Sequence, residues 1–488
     1  MRARIPLTFA VAGLSVVMST GCSSKSRDRS YASTVAPTTS STPAPTNSGT
    51  APVSTGTTPV TPPAPTMLTD ALVSSFSLKQ VIQVDAATGQ QAGAWNTGNG
   101  PADVANHGFD TYVANAISQD ITVVDRMANG IAGTIDVTAA PITGLSFLTS
   151  FVDPILKPLV RPTGLAVNPA GTKIYSANLL NVTISNAQTL QPTKSILGLS
   201  PLSLTSLISN PQQALSNFLA APVQGLGMAK VAATNDHALV TCMITGKVMR
   251  IDGRTDSLID YVDVGRAPVG ITIARGKAYV ACVLSQDIYV IDVATGAQRA
   301  RLTAGMIPFD CASNQAGDKV YVANAISGDL SVIDTAADLV VDTLPAGLSI
   351  AQIFSQLGVT VPTGSGGGIG GVLNGFLQGF TGGMSNPSSF GALLTGGSSS
   401  LLSPGNLING LISGFLAYAG VNSSAIAGMN LPGIGIFSVA VAHDPDLICT
   451  ANALMGDLAA TRATARSVNS VQGLTGLGPA DVTTVWRQ

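Results

Sequence analysis

The side chains that could do chemistry are few and widely spaced. The 488-residue chain holds three histidines and five cysteines, and all 26 of its acidic residues are aspartates. Any mechanism that needs a catalytic glutamate is therefore excluded. His107, His237 and His443 fall between the first and second strands of different repeat units. That position is a turn expected on the face opposite the one that receives the longer connections. No Ser-His-Asp set can be assembled from them, and a role in turns is the expectation. Four aspartates, Asp120, Asp287, Asp329 and Asp457, occupy equivalent turns on the predicted top face. They are the candidate site for a metal or ligand, against the alternative that an Asp at such a turn bonds its own backbone. Arg161, Arg266 and Arg301 precede inner strands and could reach the top opening, or remain solvated surface. Cys242 and Cys282 hold equivalent positions in adjacent units, with Cys311 and Cys449 the other two after Cys22. Export would permit disulfides, and four cysteines allow three full pairings among which the sequence does not choose. No Cys-x-x-Cys-His haem site, Walker loop or GxGxxG following a strand occurs. No residue is accordingly assigned as catalytic, cofactor-binding or metal-ligating, and no cofactor is expected.

The elements that must position these residues are read first from composition. Hydrophobic residues make up 45% of the chain and charged residues 10%, against about 25% charged in ordinary soluble domains. A formal net charge of -2, with 24 Lys and Arg spread thinly, lacks the basic face of a nucleic-acid binder. Nucleic acid is not an expected partner. With 52 Gly, 28 Pro and 5% aromatic residues, the chain favours turns and short strands over long helices.

The first residues read as an address. Arg2 and Arg4 precede an apolar run from Ile5 to Met18, followed by Ser19, Thr20, Gly21 and Cys22. That order is an export signal, and the run is shorter than the roughly 20 helical residues that cross a bilayer. The small residues before Cys22 resemble a bacterial lipobox, whose Cys thiol receives a diacylglycerol before cleavage; Ser19 departs from the usual Leu. The alternative is an ordinary signal peptide cut nearby. From Ser30 to Thr69 no charged residue occurs and Ser, Thr, Pro, Ala and Gly dominate, a composition that cannot bury a core. Residues 1–21 are thus predicted to be a signal peptide and 22–69 a Ser/Thr/Pro-rich linker anchored to a membrane through acylated Cys22. In a Gram-negative lipoprotein, Ser23 in place of Asp after that Cys implies sorting to the outer membrane.

Residues 70–488 are organised by a repeat. Tyr112-Val-Ala-Asn-Ala-Ile-Ser118, Tyr175-Ser-Ala-Asn178, Tyr279-Val-Ala-Cys282 and Tyr321-Val-Ala-Asn-Ala-Ile-Ser327 recur, with weaker copies beginning at Leu72, Leu239 and Cys449. Each continues through a turn into a strand that ends, in most copies, at Asp or Asn: Asp85, Asp125, Asn186, Asp252, Asp292 and Asp334. A Pro marks each unit: Pro101, Pro162, Pro222, Pro268, Pro308, Pro432 and Pro479. The spacing of uninterrupted copies, about 40 residues, is that of a four-stranded propeller blade. In the cleanest unit, strands are expected at Gly270–Ala274, Lys277–Val283, Asp287–Asp292 and Gln298–Leu302. Tyr-Val-Ala-Asn, a turn, Val-Ile-Asp and then Thr-Gly resembles the YVTN-type bacterial β-propeller repeat, over a range from about Leu72 to Trp486. The resemblance implies a fold and leaves function open. Gly478-Pro-Ala-Asp-Val482 repeats Gly100-Pro-Ala-Asp-Val104, so the chain ends on a strand that starts a unit, and the copy at Leu72 lacks that strand. The prediction is an all-β, seven-bladed propeller with a composite closing blade built from both ends of the chain.

Three insertions, at 138–160, 198–221 and 345–431, each follow a fourth strand and precede the next first strand, which puts all three on one face. They are apolar and expected to be partly helical: no charged residue lies between Asp342 and Asp444, and Leu348, Ile353, Phe354 and Leu357 recur at helical spacing. They either pack as a cap or expose a surface for a lipid, a membrane or a partner protein. Together these readings describe an exported envelope lipoprotein whose propeller is a binding or scaffold module for an envelope protein or hydrophobic ligand. The alternative is a lactonase-like propeller hydrolase working at the central channel, where related-looking enzymes often use Glu. Some YVTN-type propellers bind nucleic acid, a third option that the charge opposes.

Overall fold

The structure, a computed structural model, describes residues 69–76, 78–141, 157, 160–198, 224–347, 436–442, 444, 446–452, 457–471 and 479–486. The leader, the linker and the bodies of the three insertions lie outside the described residues, as do Cys22 and His443.

Seven four-stranded antiparallel sheets make up the fold. Blade 1 is composite. Pro479–Trp486 pairs with Thr69–Ser75, which pairs with Gln80–Asp85 and then with Gln91–Asn96. The remaining six blades follow in chain order, with first strands at Pro101–His107, Gly164–Val167, Met228–Ala233, Pro268–Ala274, Pro308–Ser313 and Ile436–Val441. Each first strand touches that of the next blade, and Pro479–Trp486 touches those of blades 7 and 2, so the first strands form a closed ring. In blade 5 the strands are Pro268–Ala274, Lys277–Cys282, Asp287–Asp292 and Gln298–Thr303, within two residues of the expected limits. Among the described residues the one helical element is the short 3-10 turn Val137–Ala139.

The sequence pattern of the blades follows from which faces are covered. Second and third strands lie between two neighbouring blades, so both of their faces are buried and they read as near-continuous apolar runs. In Lys319–Asn324 every residue after Lys319 is buried, and Tyr-Val-Ala-Asn is such a run. Outermost strands such as Gln298–Thr303 are mostly exposed. The core is therefore a circle of layers between blades: Leu72, Val81, Val104 and Val113 between blades 1 and 2, and Tyr175, Val182, Val240 and Met249 between blades 3 and 4. The Asp or Asn that ends the third strand has a local cause. Asp85 Oδ1 accepts from the amides of Ala87 and Thr88, both at 2.8 Å. Asn186, Asp252 and Asp334 bond the two corresponding amides in their blades, which closes the turn into the fourth strand.

The upper face is defined by the turns between second and third strands, and the insertions start and end beside those turns. Gln119 Nε2 donates to Lys157 O at 2.6 Å and Val160 O at 2.9 Å. Gly198 N donates to Leu180 O at 2.8 Å, and Thr245 Oγ1 to Gln224 O at 2.7 Å. Ala346 N and Gly347 N both donate to Gly328 O. All three insertions thus leave from one face, as the repeat order requires.

Candidate functional site

Two features occupy the ring: a charged cluster in its channel and an apolar rim on its upper face. The cluster is built by equivalent positions of the seven first strands, which carry Asp103, Gly164, Lys230, Gly270, Asp310, Ser438 and Asp481 in order around the ring. Pairing fixes the equivalence, since Asp103, Gly164, Asp310 and Ser438 lie opposite Ala114, Ala177, Ala323 and Ala451, the same place in each second strand. In every blade but the third a register shift sits at this point, the kind of bulge that re-aims a side chain.

Lys230 crosses the channel to reach the acids. Its Nζ lies 2.6 Å from Asp481 Oδ1, 2.8 Å from Asp103 Oδ1 and 3.6 Å from Asp310 Oδ2. The remaining acceptors are also engaged. Asp481 Oδ2 accepts from Val104 N at 3.0 Å and its Oδ1 from Ser438 Oγ at 2.5 Å. Asp103 Oδ2 accepts from Leu165 N at 2.5 Å. Asp310 Oδ2 lies 3.0 Å from Ser438 Oγ and accepts from Val439 N at 3.3 Å. Both neighbouring ring positions are glycine, where the backbones of adjacent strands approach too closely for a side chain. A Cβ on Gly164 would lie 2.1 Å from Ala229 O, and one on Gly270 would lie 2.5 Å from Asp310 Cα.

Burial and charge act against each other here. Burial by itself would lower the Lys230 ammonium, but Asp103, Asp310 and Asp481 outweigh it and hold the group well above an ordinary lysine. Burial and then the negative charge of Asp481 push Asp103 well up, with Lys230 opposing. Asp310 is raised by burial, against the pull of Lys230. Asp481 is also desolvated, yet Lys230 and hydrogen bonds from Asp103, Lys230 and Ser438 bring it below the usual carboxylate range. The acids contact Lys230, Ser438 and backbone amides.

The residues singled out in the sequence lie elsewhere. Asp120, Asp287, Asp329 and Asp457 each open the third strand of a different blade. Asp120 Oδ1 accepts from Asn115 Nδ2 at 2.6 Å. Asp329 Oδ1 accepts from Asn324 Nδ2 at 2.7 Å and Ser327 Oγ at 2.9 Å. Asp287 accepts from Ser285 Oγ at 2.6 Å and Arg301 Nε at 2.5 Å. Arg301 belongs to an outermost strand, not to the approach to an inner one, and its guanidinium also sits 5.6 Å above the Tyr289 ring. His107 ends the first strand of blade 2 and His237 begins the second strand of blade 4; His107 Nε2 lies 3.1 Å from Pro169 O. Cys242, Cys282, Cys311 and Cys449 are buried free thiols. Among the described residues no group of three or more His, Cys or Asp could hold a metal ion.

The upper rim is apolar. At one position of the turn between second and third strands stand Ile117, Ile244, Leu284 and Ile326, in blades 2, 4, 5 and 6. Their amides donate to Asn99 O, Leu226 O, Arg266 O and Met306 O, the same contact in each blade. Ile117 is 42% exposed and Ile244 36%. They lie over Gly100 and Gly227, which have positive φ and where a Cβ would come within 2.7 Å of the isoleucine. Leu284 and Ile326 are half-buried and continue into a patch with Met243, Val283, Ile307 and Phe309. Only the repeated Ile or Leu after Val-Ala-Asn-Ala and its variants marks this rim in the sequence.

No protein-family profile matches the chain, and no curated protein matches it. Among solved structures it is similar to a functionally unknown protein from Desulfotomaculum acetoxidans, at 11% identity and a TM-score of 0.51, over 86% of this chain and 98% of that one. It also matches hydrazine synthase of Kuenenia stuttgartiensis at 13% identity and a TM-score of 0.43, over 83% of this chain and 92% of that one. At 11% identity the first likeness is one of fold alone, and the fold of this chain is a seven-bladed β-propeller.

Proposed function

We propose that the protein is an exported envelope lipoprotein, tethered through acylated Cys22, whose YVTN-type propeller binds an envelope protein or hydrophobic ligand on its upper face. The observation that carries this reading is the apolar rim of Ile117, Ile244, Leu284 and Ile326, set beside the points where the three insertions leave the ring. Apolar side chains repeated at one position around a channel mouth favour contact with something other than water. The channel supports the same reading, because its polar groups pair with each other and none is left poised for acid-base or nucleophilic work. Replacing residues 346–430 with a short Gly-Ser turn tests it. The cost of closing a loop varies only logarithmically with its length, so the propeller remains folded while fluorescence enhancement of an apolar dye is lost. A folded deletion that binds the dye as the parent does contradicts the reading.

A further inference from the structure

Asp103 Oδ1 and Asp481 Oδ1 lie 2.8 and 2.6 Å from the same Lys230 Nζ, with Asp310 Oδ2 at 3.6 Å, and all three carboxyl groups are buried. Carboxyl groups gathered on one ammonium in a buried site do not all ionise, so one of them keeps its proton. The charge count agrees: three carboxyl groups face one ammonium. The groups packed around them are Ser74, Thr241, Ser438 and the buried thiol of Cys311, and among the described residues none supplies a second positive charge. On either side of Lys230 the ring closes backbone to backbone at Gly164 and Gly270.

We propose that the propeller is fastened across its channel by Lys230 together with a proton retained on the Asp103 and Asp481 pair, a latch that joins the composite blade to the far side of the ring and loosens as pH rises. Asp481 is the strand residue contributed by the C-terminal end of the chain, and it is held from blades 2, 4 and 7 at once. The latch therefore bears on the seam where the two ends of the chain meet. Its pH dependence follows from the directions of the shifts. Asp103 and Asp310 are raised on folding, so their contribution is complete at acid pH and is lost as pH rises through their folded values. Asp481 is lowered, so its contribution is present at higher pH and is lost as pH falls through its folded value. The latch holds between these limits.

Melting temperature measured against pH for the parent and for Asp103→Asn tests this. The amide oxygen can still accept from Lys230 and the side chain cannot lose a proton, while its Nδ2 forgoes the bond that Asp103 Oδ2 takes from Leu165 N, a loss that does not vary with pH. As pH rises, the parent is expected to lose several degrees that Asp103→Asn keeps. The infrared difference spectrum between the two should show the carbonyl stretch of a protonated carboxyl in the parent alone. Parallel melting curves across the pH range, or no such band at any pH, overturn the proposal. If Asp103→Asn does not fold, the band is sought in the parent carrying carbon-13-labelled aspartate, across the same pH range, and its absence throughout has the same force.

Discussion

Lys230 is the residue on which the centre of the ring depends, and truncating it tests how much. Lys230→Met keeps the length of the stem but leaves Asp103, Asp310 and Asp481 buried without their cation. Removing one partner of a buried ion pair costs about 3–5 kcal/mol, so the variant should show a clearly lower denaturation midpoint than the parent; an unchanged midpoint would mean that the acids do not rely on Lys230. The thiols give a second expectation. Burial, with backbone hydrogen bonds opposing, pushes Cys242 up to about 12, and burial does the same to Cys282 and Cys449. Native protein should leave all four thiols intact in a colorimetric thiol assay at mildly alkaline pH, with reaction only after unfolding. Rapid modification of the native protein would show that one of them is reachable. At this scale the sequence was legible in part. Asp103 and Asp481 stand in the repeated Gly-Pro-Ala-Asp-Val, and Asp310 stands two residues after Pro308, as they do after Pro101 and Pro479. Lys230 and Ser438 escaped because Pro222 and Pro432 stand farther back, on the insertion side of their strands. The aspartates that caught the eye, Asp120 and Asp329, open third strands and hold their neighbouring Asn side chains in place.

Strands were the legible elements, since two-sided burial writes the same apolar run into every blade and an Asx-capped turn ends it. Closure was legible for a topological reason: a unit begun at Pro479 and a unit at Leu72 lacking its first strand complete each other. Removing residues 478–488 deletes the strand that pairs with Thr69–Ser75 over its length and, with it, Asp481. Such a truncation should lower the melting temperature markedly and promote aggregation through the exposed edges; a truncated protein that melts like the parent would show that the ring does not close this way. The helices expected within 138–160, 198–221 and 345–431 were read from apolar spacing, and the bodies of those insertions lie outside the described residues.

For the whole molecule, the proposal joins a lipid tether to a propeller with an apolar upper face. The tether has its own test. Cys22→Ser should move the processed protein from the membrane fraction to the soluble one, and a processed variant that stays with membranes would remove the lipoprotein reading. Function was the least legible level, because propeller repeats specify blades and leave the ligand to rim residues and insertions that vary independently of them. The upper face as binding surface is the central claim, and site-specific photo-crosslinking in the intact envelope tests it most directly. A photoreactive residue at position 244, on the upper rim, is compared with one at 127, in the turn after the third strand of blade 2 on the opposite face. Ile244 is 36% exposed and Met127 69%, so accessibility alone would favour position 127. The account predicts an intermolecular adduct from 244 and none from 127; an adduct from 127 with none from 244 would contradict it.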